Sequence, residues 1–444
     1  MKLSKILTLA MLLGVALTMT AQNDYDNAPL DILPYSNPNY SLLRHDGVVT
    51  KGKSVNGEHV GQCPDHWNNG IMKCFRPTFN QDRGSCGSAA AICYQFAHEW
   101  NAYRDLDGSL MENKYPSHFT WLTTYSHSDK RQIERHVGVP TAAVYGGDTY
   151  SNLFGSQDYH SNDYGWMQGY DKWYSAMFNR LINAYSFPIS IEGEEGREAL
   201  KYWLWNHNGD TEFVAGGIAN VGAASGLTQS DIPSTATNKS IGVSGMKYIS
   251  MWGATYDHSL SIVGYDDRIE FDLDGNGVYG ERDKDELGAW IIANSWGNGW
   301  ANKGFIYCPY KYGGPWLPRA DKSKEFFKPT VYFIRKNYRP LRTLKILMDY
   351  SVRSAIALQA GISSDTTAKK PEQIIEFEHF RYAGNNDDNA EDAEIPMLGR
   401  WADGLHYEPM EFGYDLTDLS ANISLSLMPR VAARVLEIST SARL

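Results

Sequence analysis

The spacing of apolar positions changes along the chain, and the changes mark out its elements. Between Ser88 and Tyr103, Ile92, Cys93, Phe96 and Trp100 recur three or four residues apart with alanines between them, which predicts a helix with one apolar stripe. Gly196–His207 (GREALKYWLWNH) repeats that period. Short apolar runs bounded by Gly or Asp follow at Phe213–Val221, Ser259–Val263 and Ala289–Ala293, and these predict strands. A helix-rich part followed by strands is the order of an α+β domain. From about Lys328 the character shifts: Val331–Ile334 and Thr343–Met348 are strand-like, and Ser/Thr-rich turns and an acidic loop, Asn385–Glu394, come after them. This tail predicts a β-rich accessory domain of sandwich type. Its last segment, Asn422–Leu444, has no aromatic residue and no clear alternation, so the domain is expected to be incomplete or frayed there. The expected division is 1–21, 22–60, 61–327 and 328–444.

Composition narrows the class. The 444 residues leave room for two domains with full cores, and no internal apolar run is long enough to span a membrane. The 40 Gly, 28 Tyr and 13 Trp fit a loop-rich globular protein, not a helical repeat. A formal charge of −11 argues against nucleic acid as the main partner, because phosphate binding needs a basic surface. At the N-terminus, Lys2 and Lys5 precede an apolar stretch, Ile6–Leu17, and then small or polar residues. That is the layout of a secretory signal peptide cleaved near Ala21, with Met19 where a small residue is preferred. Residues 22–60 follow as a polar leader. The expected location is secreted, periplasmic or on the cell surface. Five cysteines, Cys63, Cys74, Cys86, Cys93 and Cys308, are an odd number, and in an exported chain an odd thiol is a candidate reactive one.

Three distant segments each offer one part of a thiol-based acyl-transfer site. In Gln81–Ser88 (QDRGSCGS), Gly and Ser turn the chain just before the first helix. A cysteine there meets unpaired backbone N–H groups and the positive end of the helix dipole, which favour a thiolate and can later hold an oxyanion. In Asp257–Tyr265 (DHSLSIVGY), His258 begins a buried strand, from which an imidazole can pair with a thiolate and carry its proton to a leaving amine. In Gly288–Trp300 (GAWIIANSWGNGW), a strand ends in a Gly-rich turn holding two Trp. Asn294 at that strand end can orient an imidazole, and a neighbouring Trp can shield the bond from water. Taken singly, each segment has a plainer reading: a structural thiol, a satisfied buried His, a packing turn.

Together, the order Cys, then His, then Asn in an N-S-W-G turn resembles the papain family of cysteine peptidases, over roughly residues 60–310. Pro64-Asp65-His66-Trp67 is similar to the Pro…Trp segment near that family's mature N-terminus. The resemblance implies a two-lobed catalytic domain, one lobe helical and one β-rich. It also implies peptide or protein substrates, no required cofactor, and a Cys86–His258–Asn294 site with Gln81 as an oxyanion donor. It leaves two registers open at the nucleophile. The family pattern, Gln-Gly-x-Cys-Gly-Ser-Cys-Trp, overlays directly with Ala89 on the nucleophile and Arg83 on the oxyanion Gln. Glu99, ten residues past Ala89, suits that register, which implies a catalytically silent, peptide- or surface-binding protein. The other register takes Gly84-Ser85-Cys86 as the nucleophile turn. Gln81 then lies five residues before the thiol where the family has six, and Gly87 replaces the Trp. Transglutaminase-like and NlpC-like hydrolases share Cys and His but complete their sites outside an N-S-W-G turn.

One further motif lies apart from this site. Asp272, Asp274 and Asn276 stand at positions one, three and five of an EF-hand-type frame, with Gly277 at six and Asp283 at twelve. The frame predicts a structural calcium loop joining two strands, and the plainer reading is a solvated acidic turn. Zinc is disfavoured, since no C-x-x-C or H-E-x-x-H spacing occurs.

Overall fold

A computed structural model of the chain describes residues 54–442 with some stretches left out, the longest being 122–132, 149–166, 351–358, 363–372, 377–395 and 418–433. The expected signal peptide and most of the leader lie outside the described residues, as does the acidic loop Asn385–Glu394. The fold is α+β. Its contacts divide it into two compact units. One comprises the described residues up to Tyr115 with those of Asn183–Ile334, and the other the described residues of Pro116–Ile182 and those from Arg335 on.

The first unit is built on a nine-stranded sheet. Its order runs Leu181–Ser186, Thr330–Ile334, Ala219–Ala223, His258–Glu270, Leu287–Ala293, Phe305–Pro309, Lys247–Trp252, Leu227–Asp231, with His66–Asn68 paired to the long His258–Glu270 strand. The apolar run at Ser259–Val263 marks only the start of that strand, which extends for 13 residues. The expected strand Phe213–Val221 is mostly loop, and pairing begins at Ala219. Close packing explains the difference: a Cβ on Gly217 would stand 2.3 Å from the Trp203 ring, so this backbone lies against the helix and not in a ladder.

The first predicted helix is one continuous rod with three windings: Cys86–Ser88 is α, Ala89–Phe96 is π, and Ala97–Arg104 is α again. At the exit of the wide segment the Ala97 N–H reaches the Ile92 carbonyl, five residues back. The alanines admit this, since Ala89, Ala90 and Ala91 are all buried and let the backbone approach its neighbours. Tyr94 packs with Phe75, Ile218, Val263, Ile291 and Ala293 in the core between helix and sheet. Each such large side chain contributes roughly 1.5–3 kcal/mol by leaving water. Gln95 ties the rod to two strands, donating to the carbonyls of Ile218 (3.1 Å) and Thr330 (2.7 Å). Glu99 is fully buried and bonds His207 Nε2 at 2.6 Å. The second predicted helix is present as Glu194–Asn206.

The second unit sets the helix Tyr170–Ala176 on a three-stranded antiparallel sheet, Met410–Asp415, Arg342–Asp349, Arg434–Ala442. Leu344, Ile346, Met348, Phe412 and Tyr414 are buried, and Trp173 meets Phe412 edge-on at 6.4 Å. Arg180 and Asp415 form a buried ion pair at 2.7 Å. These contacts group Pro116–Ile182 with the tail, where the sequence pattern keeps the whole of 61–327 together. They also leave Thr330–Ile334 in the first unit's sheet, beyond the expected boundary at 327/328. The described part of the tail also holds two two-stranded antiparallel sheets, Gln359–Ile362 with Gln373–Glu376 and Gly399–Trp401 with Gly404–His406, so it is β-rich as expected. Arg434–Ala442, expected to be frayed, pairs as a strand with Arg342–Asp349, with a bulge between Leu347 and Met348. Among the described residues, no helix is long and apolar enough to cross a membrane.

Candidate active site

The long strand begins at His258, and its antiparallel neighbour ends at Ala293, so the ladder brings His258 beside Asn294. His258 Nε2 lies 2.9 Å from Asn294 Oδ1. An amide oxygen accepts only, so Nε2 carries the proton and Nδ1 is the ring's basic atom. Asn294 Oδ1 also accepts the Ser295 N–H at 2.7 Å, and Asn294 N–H donates to Gly304 O at 2.9 Å. Both site residues are nearly out of water, His258 at 5% and Asn294 at 1% exposure. The Trp296 ring stacks on the imidazole at 4.8 Å, and Trp300 abuts Trp296 edge-on. Burial holds the His258 pKa below its usual value, against the opposing pull of the Asn294 bond and the Asp257 charge.

The Asn294–Trp300 turn is braced by the segment that leads to Cys86. Gly297 N–H donates to Phe79 O at 2.9 Å, and Gln81 N–H to Ser295 O at 2.6 Å. Gly297 has φ +75°, and a Cβ there would lie 2.5 Å from Asn80 Oδ1, so the turn demands glycine twice over. Ser295 Oγ donates to Gln81 Oε1 at 2.6 Å, which fixes the orientation of that amide. Tyr94 reaches from the helix to give its hydroxyl proton to Asn294 O at 2.9 Å.

Cys86 is the first residue of the helix and is half-buried. Its Sγ contacts the carbonyl of Asp257, the residue before His258, at 3.9 Å. Ala89 is fully buried in the π segment. Arg83, its would-be oxyanion partner, lies outside the described residues. None of the five cysteines is joined to another in a disulfide. Burial pushes Cys74 and Cys308 each up to about 12, which leaves almost no thiolate there at neutral pH. The Asp257 carboxylate is held by Ser225: it accepts from Ser225 N–H (2.7 Å) and Ser225 Oγ (2.8 Å), and these bonds hold its pKa below the ordinary value.

Of the residues singled out in the sequence, the structure joins His258 to Asn294 and Gln81 to Ser295 and sets Cys86 against Asp257; Ser225 and Tyr94 were not among them. Tyr94 lies one position beyond Cys93 on the predicted helix, so its being helical was legible; its reach to the Asn294 carbonyl was not. Ser225 sits in a short connection with no pattern.

An imidazole held by an asparagine, capped by a tryptophan and set beside a cysteine-bearing helix start is the arrangement of papain-like proteins. Residues 232–313 match the model of the papain family cysteine proteases, so the chain is papain-like over that stretch. The match spans His258 and Asn294 and does not reach Cys86. No curated protein matches the chain. Among solved structures, the chain is similar to the proform of the ragweed pollen cysteine protease Amb a 11, at 16% identity and a TM-score of 0.37, covering 68% of this chain and 76% of that one. It is similar to SERA5E from Plasmodium falciparum at 15% identity and a TM-score of 0.34, covering 62% and 97%. It is also similar to xylellain from Xylella fastidiosa at 15% identity and a TM-score of 0.35, covering 61% and 86%. Likenesses at these TM-scores add nothing to the assignment.

Proposed function

We propose that this chain is an exported cysteine peptidase acting through Cys86, His258 and Asn294. The observation that carries this reading is the placement of a half-buried thiol at a helix start, against the residue that precedes an asparagine-held imidazole. Export rests on the composition of residues 1–21. His258 Nδ1 takes the thiol proton, and the thiolate attacks the substrate's carbonyl carbon. The oxyanion is held by the Cys86 backbone N–H and the Gln81 side chain, each such donor contributing roughly 2.7–4 kcal/mol. The imidazolium then protonates the leaving amine. The neutral ring next deprotonates a water molecule, whose oxygen displaces Cys86 and frees the acid product. Asn294 keeps the ring oriented throughout. The wide turns at Ala89–Phe96 support the Cys86 register. They take up more residues per turn than an α-helix, so Glu99, thirteen positions after Cys86, is brought closer along the axis than an α count implies.

One observation favours a second reading, a catalytically silent peptide-binding protein. Among the described residues, Cys86 Sγ bonds the Asp257 carbonyl and not the imidazole. Treatment with an epoxide of the E-64 type followed by peptide mapping separates the two. The peptidase reading expects one adduct, on Cys86, lost together with peptide hydrolysis in Cys86→Ser. It also expects Ala89→Cys to gain no second adduct, because that position is sealed from solvent. An unlabelled Cys86, or an adduct on the thiol introduced by Ala89→Cys, would overturn it.

A further inference from the structure

At the far end of the strand pair that carries His258 and Asn294, the chain crosses from Glu270 to Leu287 through the loop with Asp272, Asp274 and Asn276. The structure changes the ligand set the sequence suggested. Asp283, at the twelfth position, is on an exposed helical turn, Arg282–Lys284, and does not join the carboxylates. Asn276 is engaged within the loop: its Oδ1 accepts the Val278 N–H at 2.7 Å and its Nδ2 donates to Glu281 Oε2 at 2.7 Å. The residue that comes in is Glu286, outside the twelve-residue frame. One carboxylate oxygen from each of Asp272, Asp274 and Glu286 lies within 4.8 Å of the other two.

Glu286 is the independent sign that a ligand belongs here. It is fully buried. Its Oε1 faces the loop, accepting the N–H groups of Leu273 (2.8 Å) and Asp274 (3.0 Å), with Lys311 Nζ 3.7 Å away. Its Oε2 is also buried and has no hydrogen-bond partner among the described residues. A buried carboxylate oxygen without a donor is costly, and a bound cation removes that cost. Asp272 is pinned on the inside of the turn, its two oxygens accepting from Gly275, Asn276 and Gly277 N–H at 2.8–3.0 Å. Lys284 Nζ sits on Asp274 Oδ2 at 2.8 Å and on Glu281 Oε2 at 2.9 Å. Its long, partly exposed stem lets the ammonium keep Glu281 while releasing Asp274.

We propose that Asp272, Asp274 and Glu286 bind a calcium ion, with backbone carbonyls or water completing its shell. An all-oxygen carboxylate set on an irregular loop suits calcium better than magnesium, which demands tight octahedral geometry, and it lacks the nitrogen and sulfur donors of a structural zinc site. The ion clamps the connection between the two strands whose other ends present His258 and Asn294. The inference stands whether or not Cys86 is a nucleophile. Its test is calcium titration of the full chain after chelator treatment, by calorimetry and by thermal unfolding. One ion per chain and a rise in Tm are expected, and Glu286→Gln and Asp272→Asn should each weaken binding at least about tenfold, because affinity follows ligand charge count. Without calcium, Glu286→Gln should be no less stable than the wild type. Should that variant not fold, Asp272→Asn carries the test. No calcium response of the wild type up to about 10 mM, well above the weak extracellular range, overturns the site. Affinity undiminished in a folded ligand variant overturns it equally.

Discussion

The two walls of the candidate site are made differently. His258 and Asn294 stand on neighbouring strands, nearly out of water, bonded directly to each other and covered by Trp296. Cys86 stands at a helix end, half in water, and its sulfur meets a backbone carbonyl at 3.9 Å. A sheet ladder sets side-chain neighbours by register, so the strand wall has one possible arrangement. A helix end presents whichever residue its winding brings round. Here a π segment begins at Ala89, three residues after Cys86, and buries that alanine, so the winding selects the exposed residue.

Three measurements would sharpen or break that contrast. The largest effect is expected from Asn294→Ala. If the strand wall acts by orienting the imidazole, kcat/KM for a peptide substrate should fall about 10²-fold, some 2.7 kcal/mol, with KM nearly unchanged. An unchanged kcat would reduce Asn294 to a packing residue. Next is Tyr94→Phe, which removes the bond from the helix to the Asn294 carbonyl and leaves that oxygen buried. It should cost about 1–3 kcal/mol in denaturant unfolding. A neutral result would mean that the helix does not brace the turn. The smallest effect is in pH. Burial lowers the folded pKa of His258 below its unfolded value near 6.5, so the unfolded chain takes up the proton first. The stability tied to this group is therefore complete above about pH 6.5 and declines as pH falls toward and through the lowered folded value. Comparing wild type with His258→Gln between pH 5 and 8 should show that decline only in the wild type, with a slope under about 1.4 kcal/mol per pH unit. Parallel curves would mean the ring is not desolvated.

How much was legible beforehand follows the same contrast. The helix over Ser88–Tyr103 was readable from the three-to-four spacing of its large apolar residues, and the strands at Ser259–Val263 and Ala289–Ala293 as short apolar runs, which is how strands buried on both faces read. The false strand at Phe213–Ile218 is held by glycines against Trp203, and the unmarked strand at Arg434–Ala442 by pairing with Arg342–Asp349. In the loop, the frame Asp272–Asp274–Asn276 was visible, but Glu286 was not. A buried carboxylate returning from outside a motif has no spacing to announce it.

By itself, then, the sequence determined the α+β class, the papain-like stretch around His258 and Asn294, and the residue types available to the chemistry. All of these rest on local patterns: a three-to-four spacing in the helices, short apolar runs in the strands, glycines at forced turns, and an Asn-Ser-Trp-Gly run with few other uses. Only the tertiary structure decided that Gln81 meets Ser295, that Asp257 turns to Ser225, that Ala89 is enclosed, and that residues 116–182 group with the tail. Those outcomes depend on which distant surfaces meet and how a helix winds against its sheet, and such long-range packing leaves no periodic trace in the chain.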